Sequence, residues 1–174
     1  MSDTKRAIIT GATGMLGVAL TNHLVAEGYE VVAIVRPGSK RIENVPASDK
    51  VAVVELALAD LDRLPACLLA SGIDGADLFF HFAWDGTFGD NRNNMDIQID
   101  NIRYTISAVR AAKAIGCECF LGAGSQAEYG RVADGTKLSA STPTNPENGY
   151  GIGKLCAGKM SRIEASKLGI KHMG

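Results

Sequence analysis

Three glycines, Gly11, Gly14 and Gly17, stand between the β-branched run Arg6-Ala7-Ile8-Ile9-Thr10 and a segment carrying Leu16, Leu20 and Leu24 at helical spacing. No other feature limits the fold as tightly. A strand that passes at once into a helix through such a turn needs backbone unobstructed by Cβ atoms. In this setting one glycine permits the tight turn, one admits a pyrophosphate and one lets helix and strand pack closely. The helix N-terminus adds unpaired N–H groups and the positive end of its dipole. Gly11, Thr13, Gly14, Met15, Leu16 and Gly17 are therefore expected to hold the phosphates of a dinucleotide.

The rest of the chain alternates between the same two periods. Glu30 to Val35, Val51 to Leu56, Asp77 to Phe82 and a segment opening at Cys119 read as apolar strands. Helical spacing runs from Met15 to Gly28, from Leu61 to Ala70 and from Tyr150 to Lys167. A long helix after Asn93 carries Met95, Ile99, Ile102, Ile106 and Val109 as one apolar stripe. Strands alternating with helices, the strands almost wholly apolar, predict a doubly wound α/β domain whose parallel sheet is covered on both faces. At 174 residues the chain reads as one domain, 1–174. Leu168 to Gly174 looks like the turn into a sixth strand, cut off as it starts, so a truncation is expected.

Composition excludes several partners. The net charge is −1 and no basic run stands out, which argues against nucleic acid and against an anionic membrane surface. No apolar stretch approaches the roughly 20 residues of a membrane helix. Met1 to Arg6 leads straight into a strand, leaving no room for a signal peptide. The four cysteines, Cys67, Cys117, Cys119 and Cys156, have no disulfide spacing. Cys117 and Cys119 would share one strand face as a conceivable metal pair, but no histidine is near in sequence. Buried free thiols in the cytoplasm are the expectation.

Two further signals concern chemistry. Tyr150 and Lys154, four apart on a helix, project from the same face. A phenol is a poor base near neutrality, and an adjacent ammonium favours its ionised form. Such a pair can move the proton of a secondary alcohol while a nicotinamide exchanges hydride. At the end of the second strand, Arg36 stands where an acidic residue would bind the ribose of NAD. A guanidinium suits a 2′-phosphate, so NADP is favoured over NAD.

With Thr10 and Ala12 included, the Gly-x-x-Gly-x-x-Gly turn resembles that of the extended branch of the short-chain dehydrogenase/reductase superfamily, the NAD(P)-dependent epimerase/dehydratase family. The resemblance runs from residue 7 to residue 174 and implies a Rossmann fold lacking its C-terminal substrate region. Gly124-Ser125-Gln126-Ala127-Glu128-Tyr129-Gly130 is similar to the segment that supplies the catalytic Ser or Thr, which assigns Ser125 beside Tyr150 and Lys154. Asn145 to Tyr150 resembles the usual lead-in to that tyrosine. His81-Phe82-Ala83-Trp84 is similar to the segment along the nicotinamide, implying contacts from Phe82, Ala83 and Trp84. Asn101 matches the helix asparagine that supports the site, and Leu58 falls in the adenine segment. There Ala57 replaces the customary acid, and Gly158 stands where a Glu often follows the lysine.

The resemblance also implies a nucleotide-sugar substrate and a homodimer paired through the helices bearing Asn101 and Tyr150. Dehydration at sugar carbons 4 and 6 is disfavoured, because neither Gln126 nor Ala127 can exchange a proton. Epimerisation at carbon 4 and reduction of a 4-keto sugar both stay open. So do a non-catalytic dinucleotide sensor and an inactive truncated remnant.

Overall fold

The computed structural model describes residues 4–139 and 141–174, and the expectation about the first three residues lies outside them. The strands are β1 Arg6–Thr10, β2 Glu30–Val35, β3 Val51–Glu55, β4 Leu78–His81, β5 Cys119–Gly122 and β6 Lys171–Met173. Between them run α1 Met15–Ala26, α2 Leu64–Ala70, α3 Met95–Ile115 and α4 Gly149–Leu168. All strand pairs are parallel, in the order β3-β2-β1-β4-β5-β6. The winding reverses between β1 and β4, and a ligand crevice forms at such a switch, beyond the carboxyl ends of the strands.

Side chains alternate across a strand, so β1 feeds two cores. Ala7 and Ile9 meet Val31, Ala33, Val35 and Leu24 on the α1 face. Ile8 joins Val32, Ile34, Phe79, Phe120, Leu61 and Val109 on the face covered by α2, α3 and α4. The central strands β1 and β2 are buried beyond their first residues. Edge strand β3 is not, and Val53 is 44% exposed. Its apolar sequence expresses β-propensity more than burial.

The stripe expected to seat α3 faces outward. Met95 and Ile99 are exposed, and of the five residues only Val109 enters the core. The buried face is Gln98, Asn101, Thr105, Ala108 and Ala112. Small residues let the helix approach the sheet, and the polar ones hold the loop before it. The two cysteines also part company. Cys117 precedes β5, donates its N–H to Ala112 O at the end of α3 and packs in the core. Cys119 begins β5 opposite Leu78, on the α1 side. Burial and nearby Asp77 push the Cys117 thiol up to about 12. Among the described residues, no group of three or more His, Cys, Asp or Glu could hold a metal ion, and no helix is long and apolar enough to cross a membrane.

Helix ends complete the frame. Asn94 caps α3 by accepting from Ile97 N at 3.2 Å, and Asn148 caps α4 by accepting from Gly151 N at 2.8 Å. Helix α1 begins at Gly14 with no side-chain cap, so its first N–H groups are left to another acceptor.

Candidate functional site

A cleft of about 830 Å³ opens at the carboxyl ends of β1, β2 and β4, within the size range of small-molecule sites. Gly11, Thr13, Gly14, Arg36, Leu58, Phe82, Ala83 and Trp84 line it. The three glycines do separate work. Gly11 adopts φ +72°, and a Cβ there would lie 2.7 Å from Ala83 N. Gly14 donates to Gly11 O at 3.0 Å and starts α1. A Cβ on Gly17 would strike the Gly11 carbonyl, so helix and turn could not close together. Next to them Met15 is 85% exposed and Leu16 is exposed as well. These features fit a dinucleotide pyrophosphate: a cradle that a side chain would fill, and an uncapped helix end beside it.

Lys40, Arg41, Asp85, Thr87 and Tyr104 line the same cleft. Sequence reasoning missed them, although Lys40 and Arg41 follow Arg36 in one loop. Asn101, Ser125, Tyr150 and Lys154 are not part of that wall, and Met15, Leu16 and Gly17 sit just outside it.

Behind the cleft, buried polar groups brace its floor. Thr105 donates to Asn101 O at 2.9 Å, so its oxygen accepts from His81 Nε2 at 3.4 Å. His81 Nδ1 then accepts from the Thr10 hydroxyl at 2.8 Å. Thr10 in turn accepts the Ala83 N–H at 3.4 Å. Burial, and then the charge of Lys154, lower the His81 imidazole to about 3, so it stays neutral. Asn101 clamps both backbone polar groups of Asp85: Oδ1 accepts from Asp85 N and Nδ2 donates to Asp85 O, each at 2.9 Å. It supports the cleft from behind.

Tyr150 and Lys154 reach the cleft through Trp84. The Lys154 Nζ lies 4.0 Å from the indole centroid and donates to Ala123 O at 2.9 Å. Burial lowers this ammonium to about 8, against an opposing effect of Glu128. The Tyr150 ring meets Trp84 edge-on with centroids 6.1 Å apart. From the loop before α3, Arg92 places its guanidinium carbon 4.5 Å from the Tyr150 centroid. Ser125 caps a short 3-10 turn at Gln126–Tyr129: its Oγ accepts from Ala127 N at 3.2 Å, and its N–H donates to Glu128 Oε1 at 2.7 Å. Accepting this bond leaves the hydroxyl proton available. The turn packs on α4, where a Cβ on Gly151 would strike the Ala127 carbonyl.

The chain resembles known proteins in sequence and in fold. The chain is 28% identical over 148 residues to dTDP-6-deoxy-L-talose 4-dehydrogenase (NAD(+)) of Aggregatibacter actinomycetemcomitans, covering 84% of this chain and 50% of that protein. It is 28% identical over 156 residues to UDP-glucose 4-epimerase of Mycolicibacterium smegmatis, covering 86% and 48%. Among solved structures, a UDP-galactose 4-epimerase superposes with TM-score 0.79 at 26% identity, covering 96% of this chain and 54% of that one. The UDP-glucose 4-epimerase of Thermus thermophilus, in complex with NAD, shares the fold, with TM-score 0.83 at 20% identity over 96% of this chain and 53% of the other. The chain thus spans about half the length of the relatives it matches. The family model described as NAD dependent epimerase/dehydratase matches residues 7–173, and the chain belongs to that family.

Proposed function

We propose that this chain is the dinucleotide-binding part of an oxidoreductase or epimerase that moves hydride at a carbinol carbon of a nucleotide-activated sugar, with NADP preferred. One observation carries the proposal: Tyr150 and Lys154 converge on Trp84, a wall of the cleft whose other wall is the glycine turn. Relatives named for a dTDP-sugar and for UDP-glucose support this choice of substrate class.

In this proposal the glycine turn and the open end of α1 hold the pyrophosphate, and Leu58 borders the adenine end. When bound, the nicotinamide supplies or accepts the hydride. Tyr150 exchanges the hydroxyl proton of the substrate, and Ser125 holds the same oxygen with its free O–H. Lys154, whose charge lies over the same Trp84 ring, would favour the ionised form of the Tyr150 phenol and contact the bound cofactor. The NADP preference rests on three cations, Arg36, Lys40 and Arg41, that border one cleft. Gln126 and Ala127 lie in the turn capped by Ser125, and neither side chain can act as the acid or base of a dehydration.

The test is to follow nicotinamide absorbance with the full-length protein, NADPH and 4-keto nucleotide sugars, beside calorimetric titration of the cofactor. Tyr150→Phe should abolish turnover and leave NADPH binding nearly intact. Absence of both turnover and dinucleotide binding would overturn the enzyme proposal. Arg36→Glu should reverse the preference between NADPH and NADH; an unchanged ratio would remove the NADP assignment.

A further inference from the structure

Gln98 is only 2% exposed on α3, yet its side chain serves the loop outside the helix. Its Oε1 accepts from Trp84 Nε1 at 2.9 Å. Its Nε2 donates to Gly86 O at 3.2 Å and to Asn91 O at 3.0 Å. The amide can face only one way, because the indole offers a donor and both carbonyls offer acceptors. Burying an amide costs desolvation and rotamer freedom, so a chain that merely filled this space would do better with Leu or Met.

Neighbouring backbone is shaped around the same group. Gly86 adopts φ +69°, and a Cβ there would lie 3.0 Å from Gln98 Nε2. On α4, a Cβ at Gly153 would lie 3.3 Å from Gln98 Cβ and 3.4 Å from Trp84 Cζ2. The amide and the indole therefore meet α4 one residue before Lys154. A cation–aromatic contact requires the charge over the ring face. Turning the indole would withdraw that face from Lys154 and the edge contact from Tyr150.

We propose that Gln98 is a positioning residue of the candidate site: it fixes the plane of Trp84, and through Trp84 the Lys154 ammonium and the Tyr150 ring. The consequence for cofactor binding and reaction rests on the assignment of Tyr150 and Lys154 above. Without the Gln98 acceptor the indole N–H is left without a partner, and the ring turns to find one.

Trp84 is the sole tryptophan, so its emission reports this contact alone. The groups that act on Lys154 are Glu128, from the turn after β5, and burial; His81 on β4 is neutral, and Arg92 lies over Tyr150. A pH titration should show a step in Trp84 emission near 8, absent from Lys154→Met. Gln98→Met should lose the step while melting stays cooperative, and should weaken NADPH binding about two- to thirtyfold, the range of one cation–aromatic contact. Gln98→Glu, held protonated by burial and by the two facing carbonyls, keeps an acceptor for the indole and a donor for one carbonyl, and should retain the step. If Gln98→Met does not fold, Gln98→Asn, whose amide falls one methylene short of the indole, should lose the step instead.

A step unchanged in the Met or Asn variant, with NADPH affinity also unchanged, overturns the proposal. If instead Lys154→Met binds NADPH like the parent and Tyr150→Phe keeps turnover, the assignment of the reacting pair fails. The emission step still judges Gln98 in that case.

Discussion

Lys154→Met should make the fold more stable while weakening its proposed activity. Lys154 is 7% exposed, and burial pulls its ammonium from the usual 10.5 down to about 8. At about 1.4 kcal/mol per pH unit, carrying the charge at neutral pH costs about 3 kcal/mol relative to a neutral amine. Methionine keeps the length of the stem without the charge, but leaves the Ala123 carbonyl without its Nζ donor. That loss costs about 1 kcal/mol, so a net gain of about 2 kcal/mol is expected at pH 7. The sign with pH follows from the direction of the shift. The folded state releases the Lys154 proton more readily than the unfolded state, so the cost is fully present below pH 8 and disappears as pH rises toward 10.5. Urea unfolding of both proteins between pH 6.5 and 10.5 should give a gap that narrows as pH rises and reverses sign near the alkaline end, where only the lost hydrogen bond is left. A variant less stable at pH 7, or a gap that does not narrow, would refute the reasoning. Retention of so costly a group fits a site that gives up stability for function.

Other substitutions probe separate parts of the structure. In Gly17→Ala the new Cβ meets Gly11 and Ala12 backbone; stability should fall by about 1–3 kcal/mol, and calorimetry should show NADPH binding weakened more than tenfold. Asn101→Leu removes both hydrogen bonds to the backbone of exposed Asp85, and thermal or urea unfolding should register a loss of about 1–3 kcal/mol. Dinucleotide binding should weaken as pH rises through 8, where Lys154 loses its charge; a flat binding profile from pH 7 to 9.5 would remove Lys154 from the cofactor contacts. Met95, Ile99, Ile152, Met160 and Ile163 are exposed on α3 and α4, the helices through which the family resemblance implies a homodimer. Sedimentation should therefore show association that Ile163→Glu weakens, and a monomer at all concentrations would contradict the pairing.

What could be seen in the sequence was local. The glycine turn joins a strand and a helix within a few residues, so its three requirements stand in the order of the chain. Tyr150 and Lys154 share a helix face by spacing alone. The partner that gathers them, Trp84, lies far upstream and meets them only after β4 and α4 pack at one end of the sheet. Gln98 was hidden for a similar reason. Residues 98, 101 and 105 form a polar row at helical spacing, which was a usable signal, but the apolar row beside it is louder and faces outward. Burial on α3 is decided by small residues against the sheet and by satisfied hydrogen bonds, neither of which hydrophobicity records. Cys117 and Cys119 do not share a strand face because β5 starts only at Cys119, and Cys117 belongs to the turn that closes α3.

The most direct measurement is energy transfer from Trp84 to reduced nicotinamide as NADPH is titrated into the protein. Trp84 is the only tryptophan, lines the cleft beside the glycine turn and touches Lys154. Binding in that cleft predicts saturable quenching of Trp84 with matching sensitised nicotinamide emission, reversed by NADP+ and lost in Gly17→Ala. Quenching that does not saturate, or that survives unchanged in Gly17→Ala, would contradict dinucleotide binding at this turn.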